Sequence, residues 1–399
     1  MSRKQDEVKI KNPFPAQPLL QPRTLTKIYK ERRDEMDALD FLGHIVKDRQ
    51  TIQEAWRIRR EYKDVYVLKG NGEVRILSVP PIKVKKAQKM ILEWLRDGNF
   101  ISSHPRIHGL VGSSCFNFIK GHCGTSQYFY SFDIKHAYDS TPVPLIYENL
   151  LRILSNKESL LLRAYFESET GKGIQELAKT IIELTTYSQA SPKRTENEKQ
   201  LSFLKRGSNS ILPQGAPTSP ALFFVVLKTM MEKIERDVNL SEHKLSCYGD
   251  NFLISSPSPI NPEVADHVLA IVKSFGFTPH KTFQHNIKQG ALKICGYTIA
   301  PGNGGKDKTR IGIDKSTIRR IRALCCKAQY TTRYKDPRLY RRLQGCLAWI
   351  TPVYGGNRHN LPNQIKKPLR KIGTPLKCQS KQSKRSFLLK KQRPKKRRA

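Results

Sequence analysis

The sequence predicts an α+β fold in which helices are layered on one antiparallel sheet. Three stretches carry that prediction. Residues 244–256 are two short apolar runs joined by Tyr248-Gly249-Asp250-Asn251, a β-hairpin with a tight Gly-Asp tip. Residues 128–138 open as an aromatic strand that runs into an acid, Asp133. Residues 221–231 are strongly apolar and follow Ser219 as N-cap and Pro220 at the first helical position, so a helix should lie buried under the sheet.

Length and charge set the frame. A chain of 399 residues is enough for one or two domains with a sizeable core. The formal net charge is +38, which asks for a polyanionic partner, and nucleic acid fits best. A merely solvated surface is the weaker alternative, because positive charge alone is a poor route to solubility. No apolar run reaches the ~18 residues of a membrane span. Residues 1–7 lack the apolar core of a signal peptide, so the chain is expected in the cytoplasm. The eight cysteines form no C-x2-C pair, which argues against zinc and for reduced core thiols. His122-Cys123 near Cys115 is a faint metal hint.

In chain order, residues 1–25 are polar and proline-punctuated, an extended arm. Helical patterns follow to about residue 62, with one stripe at Leu39, Phe41, Leu42 and Ile45 and another at Ile52, Ala55 and Ile58. Residues 1–60 therefore read as a basic helical extension, which touches template or packs into the core. Residues 66–80 alternate around Gly70-Asn71-Gly72, a clear hairpin, with Lys69 and Arg75 beside its turn. Val84, Ala87, Ile91 and Leu95 continue at helical spacing to Gly98, the expected C-cap. Further helical patterns cover 144–168 and 173–187, and the polar, basic stretch 188–205 reads as a surface loop. Beyond the 244–256 hairpin, Val264, Val268, Ile271 and Val272 line one face of a helix over 261–275. Residues 316–328 and 338–350 are basic amphipathic helices. Residues 366–399 hold fifteen Lys or Arg and no acid, a run expected to be disordered unless bound to phosphates.

Asp133 ends a predicted strand and Asp250 sits at a predicted hairpin tip, and two acids on adjacent strand ends are what two-metal phosphoryl or nucleotidyl transfer requires. Mg²⁺ takes oxygen ligands and often only one or two carboxylates, with substrate phosphates completing its shell. The residues around these acids also match a known pattern. Phe132-Asp133 with Ala137-Tyr138, then Gln214-Gly215-Ala216-Pro217-Thr218-Ser219-Pro220, then Tyr248-Gly249-Asp250-Asn251, resemble motifs A, B and C of reverse transcriptases, in order and at suitable spacing. The resemblance spans residues 60–350 and is nearest to the prokaryotic retron-type group, which includes retron and phage-defence enzymes. Residues 107–114 resemble that family's template-contacting segment. Asn117 and His122 resemble a retron signature, although the spacing is one longer and its Ala is absent.

The resemblance implies a right-hand polymerase: fingers at 61–127, an antiparallel-sheet palm at 128–300 with an insertion at 143–211, a helical thumb at 301–355 and a basic disordered tail at 356–399. It implies that Asp133, Asp250 and the carbonyl of Ile134 hold Mg²⁺. It places Lys69 and Arg75 on an incoming triphosphate, where the plain alternative is solvated hairpin charge. Tyr138 would pack under the sugar and exclude a 2′-hydroxyl, or else be a core tyrosine. Gln214 and Gly215 would floor the templating pair. Lys281, in a motif D-like turn at 277–282, would protonate pyrophosphate or be a solvated turn lysine. Gly296 would let motif E grip the primer. Lys395, Lys396, Arg397 and Arg398 would bind nucleic acid. Asn251 departs from the family's second acid, and it predicts weaker Mg²⁺ binding or a preference for Mn²⁺.

The implied function is RNA-templated DNA synthesis from dNTPs with a structured noncoding RNA in antiviral defence. An oligomer is compatible with the sequence. The alternatives are a catalytically weak RNA-binding scaffold and a polymerase that makes RNA or untemplated DNA.

Overall fold

The computed structural model describes residues 38–372 apart from 69–71, 73, 99, 111–112, 156–171, 189–209, 305–306 and 333–334. The chain divides into two compact units, Met1–Phe118 with Tyr128–Gln284, and Ile119–Gln127 with His285–Ala399.

The first unit opens with α1 (Ala38–Ile45) and α2 (Arg49–Arg57). Asp48 caps α2 by accepting from the Thr51 backbone N–H, which meets one of the four orphan donors of a helix start. The Lys86 ammonium and Thr51 together hold the Asp48 carboxyl down at about 2. Phe41, Leu42, Ile52 and Ala55 are buried in the same core as the sheet. The described part of the expected N-terminal extension is thus built into the unit, because its apolar stripes have no other surface to cover.

β1 (Lys63–Leu68) and β2 (Val74–Val79) form the expected hairpin, with Leu68 opposite Val74. α3 (Ile82–Asp97) then ends at Gly98. That glycine has an ordinary φ of −77°, so it is no left-handed cap. A Cβ there would fall 2.4 Å from the Phe100 ring, so close approach requires the glycine.

The remaining elements of this unit are β3 (Ile107–His108), α4 (Cys115–His122), β4 (Tyr128–Ile134), α5 (Val143–Leu154), α6 (Lys172–Thr185), the short pair β5 (Tyr187–Ser188) and β6 (Ser210–Ile211), α7 (Ser219–Asp237), β7 (Lys244–Tyr248), β8 (Asn251–Ser256), α8 (Pro262–Ser274) and β9 (Pro279–Asn286). The last residues of α4 and β9 fall in the second unit. The main sheet has the order β3-β7-β8-β4-β9. It is mixed rather than purely antiparallel, because the two-residue β3 runs parallel to β7. α7 is apolar nearly all round and is buried from Ala221 to Leu227. Its cap position belongs to Thr218; Ser219 is already helical and donates to the Pro213 carbonyl at 2.8 Å. The expected turn at 277–282 continues as strand β9.

The second unit carries a three-stranded antiparallel sheet of β10 (Leu292–Ile294), β11 (Tyr297–Gly304) and β12 (Asp307–Gly312). Helices α9 (Lys315–Gln329), α10 (Pro337–Ile350) and α11 (Asn363–Lys371) follow. They share a separate core that includes Ile321, Leu343, Leu347 and Ile365. Two expected boundaries move. Residues 285–300 belong with the thumb-like helices, and 363–371 are a helix rather than disordered tail, since Ile365 and Pro368 give that basic stretch an apolar side to bury. Among the described residues no helix is long and apolar enough to cross a membrane.

Candidate active site

The site is built on the β7–β8 turn. Tyr248 pairs with Asn251 across a two-residue tip, Gly249-Asp250, and Gly249 has the φ of +59° that such a tip needs. β4 lies beside β8 with Asp133 opposite Asn251, and the Ile134 N–H donates to the Asp250 carbonyl at 3.0 Å. One residue back, Phe132 and Phe252 are directly opposed and stacked, with ring centroids 4.8 Å apart. Both rings are buried. Strand alternation then turns Asp133 and Asn251 to the other face. A one-residue slip would swap the ring and the carboxylate, so the aromatic pair pins the register that presents the acid.

The two acids also act on each other. Burial raises the Asp250 carboxyl above the usual carboxylate range, and the Asp133 charge raises it further, against Arg75 and Asn251. The Asn251 amide Nδ2 donates to Asp250 Oδ1 at 2.9 Å. Asp133 Oδ2 lies 3.7 Å from Lys281 Nζ, while Asp133 Oδ1 is buried and accepts no hydrogen bond. A buried carboxylate oxygen without a donor is costly, and a cation satisfies it. No cluster of three His, Cys, Asp or Glu suited to a metal occurs among the described residues, the Cys115–His122–Cys123 region included. A cation here would therefore have two carboxylates from side chains and need other oxygens, which suits Mg²⁺ or Mn²⁺ and not zinc.

Other expected residues gather around this pair. Tyr138 packs edge-to-face on Phe223 at 5.5 Å. Burial raises its hydroxyl, with a further push from Asp250 and an opposing pull from Arg75, which places all three in one field. Gly215 has φ +110°, and a Cβ there would lie 3.8 Å from the Ser78 carbonyl. The Gln214-Gly215 loop thus lies along β2, the strand that carries Arg75, and Gln214 is half-buried.

Gly296 belongs to the second unit. With Cys295 it makes the β10–β11 turn, both at positive φ, and a Cβ on it would fall 2.9 Å from the Trp349 ring. The close approach it permits is by that indole. Lys69, Lys395, Lys396, Arg397 and Arg398 lie outside the described residues, as do residues 1–37 and residues 189–205 of the expected surface loop.

The sequence reading missed the brace behind the hairpin. The His108 carbonyl accepts from the Gly249 N–H at 3.3 Å, and a Cβ on Gly109 would lie 3.2 Å from the Tyr248 ring. The His108 side chain bonds Ser113, and burial lowers its imidazole pKa. A strand of two residues has no periodicity to read, so this stretch shows in the sequence only through the resemblance of residues 107–114 to a template-contacting segment.

A mixed sheet with helices packed on it, carrying two adjacent carboxylates at a hairpin tip and a strand end, is the α+β palm of right-hand nucleic-acid polymerases. The family profile described as "Reverse transcriptase (RNA-dependent DNA polymerase)" matches residues 67–282, more than half of the chain, and the chain belongs to that family. The family is described as one of RNA-dependent DNA polymerases, a class that works with divalent metal ions. No curated protein matches the sequence. Among solved structures, telomerase from Candida albicans with a TWJ fragment of telomeric RNA aligns at TM-score 0.42 and 11% identity, over 80% of this chain and 61% of that one. Apo telomerase from Candida tropicalis aligns at TM-score 0.42 and 13% identity, over 78% and 60%. The chain therefore spans about three fifths of those telomerase chains.

Proposed function

We propose that this reverse transcriptase copies a structured noncoding RNA into DNA by two-metal nucleotidyl transfer, in the cytoplasm, as part of antiviral defence of the retron type. The reading is carried by one observation: Asp133 and Asp250 share a site in which a buried carboxylate oxygen has no protein donor. Two Mg²⁺ ions, held by Asp133, Asp250 and the Ile134 carbonyl, would lower the pKa of a primer 3′-hydroxyl and neutralise the leaving pyrophosphate. Arg75, with Lys69, grips the incoming triphosphate. Tyr138 excludes a 2′-hydroxyl and so selects dNTPs. Gln214 and Gly215 support the templating pair, and Lys281 returns a proton to pyrophosphate. The motif E turn at Gly296 meets the primer, and Lys395–Arg398 hold RNA phosphates. The defence role rests on the motif resemblance described for the sequence.

Asn251 favours a second reading, an RNA-binding scaffold with little turnover, because it removes one charge from the metal site. Purified protein with its co-purifying RNA, dNTPs and either Mg²⁺ or Mn²⁺ separates the two. DNA product that disappears with Asp250→Ala and with RNase pretreatment is expected. No product with either metal selects the scaffold, and RNase-resistant synthesis selects untemplated polymerisation. Sequencing the co-purified RNA tests the template assignment.

A further inference from the structure

We propose that Lys281 is a stand-in cation: in the metal-free enzyme it occupies Asp133, and a divalent ion must displace it to bind. The proposal rests on the reading of Asp133 as a metal ligand. Three observations support it. Lys281 Nζ lies 3.7 Å from Asp133 Oδ2, on the same carboxylate whose other oxygen is buried and unpartnered. The approach is built into the backbone. The Lys135 N–H donates to the Thr278 carbonyl at 2.9 Å, which ties the segment leading into β9 to the end of β4, and Lys281 itself adopts a left-handed φ of +51°. A long side chain seldom takes that conformation, which here re-aims Lys281 out of the regular strand alternation.

The third observation is charge. Asp250 has the Asn251 amide on one oxygen, whereas Asp133 has no such donor. Two neighbouring carboxylates repel each other unless a positive charge lies close by, and Arg75 acts in this way on Asp250. Lys281 is the cation paired with Asp133, and its side chain is 70% exposed. An ion pair that exposed is weak and screened, which suits a placeholder and not a lock. Once displaced, Lys281 is free to serve the leaving pyrophosphate. In the metal-free state it is a positioning residue.

Mn²⁺ binding to the full-length, nuclease-treated protein, read by electron paramagnetic resonance, tests this without any turnover. Lys281→Gln should bind Mn²⁺ roughly two- to fivefold more tightly than the wild type, since it removes both a competitor and a like charge. Lys281→Arg, which keeps the charge, should match the wild type, and Lys281→Ala should repeat the Gln result. Unchanged or weaker binding in both neutral variants overturns the proposal. Asp133→Asn is the control for the underlying reading. If it binds Mn²⁺ as well as the wild type, Asp133 is no ligand and both ideas fall. If it loses affinity while Lys281→Gln and Lys281→Ala are unchanged, only the stand-in role is rejected.

Discussion

Asn251 has a larger part in the site than its missing charge suggests. Its Nδ2 donates to Asp250, so the residue orients the one acid that the hairpin retains. Asn251→Asp would replace that donor with a third carboxylate beside Asp133 and Asp250. DNA synthesis by this variant should saturate at lower Mg²⁺, with a smaller advantage for Mn²⁺. A metal titration of primer extension checks this, and an unchanged Mg²⁺ dependence counts against Asn251 as the cause of weak binding. Asp250 sets a pH response. Its carboxyl titrates above the ordinary range in the folded protein, chiefly through burial. On raising the pH, the unfolded chain therefore loses this proton first, and this group's contribution to stability falls through that window. The carboxylate proposed to hold the ion forms only above the raised value, so Mn²⁺ affinity should decline on acidification before an ordinary aspartate would protonate. Asp250→Asn should abolish the decline together with most of the binding. The identity of both acids was legible in the sequence, since strand ends and a Gly-Asp tip are local patterns. The Asn251 donation and the Lys281 pair were not, because they depend on side-chain directions after pairing.

At the scale of elements, the sheet register and the helix caps can be probed separately from the chemistry. Phe252→Ala removes the ring stacked on Phe132 and should cost about 3–5 kcal/mol by chemical denaturation. Activity should fall further than stability accounts for, because the same stack holds Asp133 on the open face. Asp314 caps α9 by accepting from the Thr317 N–H. Hydrogen bonds from Ser316 and Thr317 hold its carboxyl down at about 2. Its stabilising contribution is thus complete above the unfolded value near ~4 and fades as the pH falls towards the folded one. Asp314→Ala should cost about 1 kcal/mol at neutral pH, and Asp314→Asn much less, both read by thermal unfolding. The hairpin turns are readable from neighbouring residues, whereas the Asp48 and Asp314 caps leave no mark in the sequence reading and the cap expected at Ser219 belongs to Thr218. The parallel pairing of β3 with β7 and the helix at 363–371 are not readable either, since a two-residue strand and a short basic helix acquire their character from what they pack against.

At the scale of the molecule, charge dominates. Helices α9, α10 and α11 carry twelve Lys or Arg and no acid, within a chain of net charge +38. RNA affinity should therefore fall steeply with salt, by a slope of about 0.7–0.9 per phosphate neutralised. Deleting residues 373–399 removes eleven further cations, and it should flatten that slope while leaving the Mn²⁺ affinity of the palm unchanged. Binding isotherms from low to physiological salt measure the first effect, and the resonance titration the second. An unaltered slope would mean that the tail makes no phosphate contacts.

Read as a string, the chain gives up its α+β class, its hairpins, its buried helix and its order of motifs, because each depends on residues a few positions apart. Three features emerge only on folding: a mixed sheet, a carboxylate oxygen stranded without a donor, and a lysine turned onto Asp133. Each is a relation between segments distant in sequence, set by register and packing that no local propensity encodes.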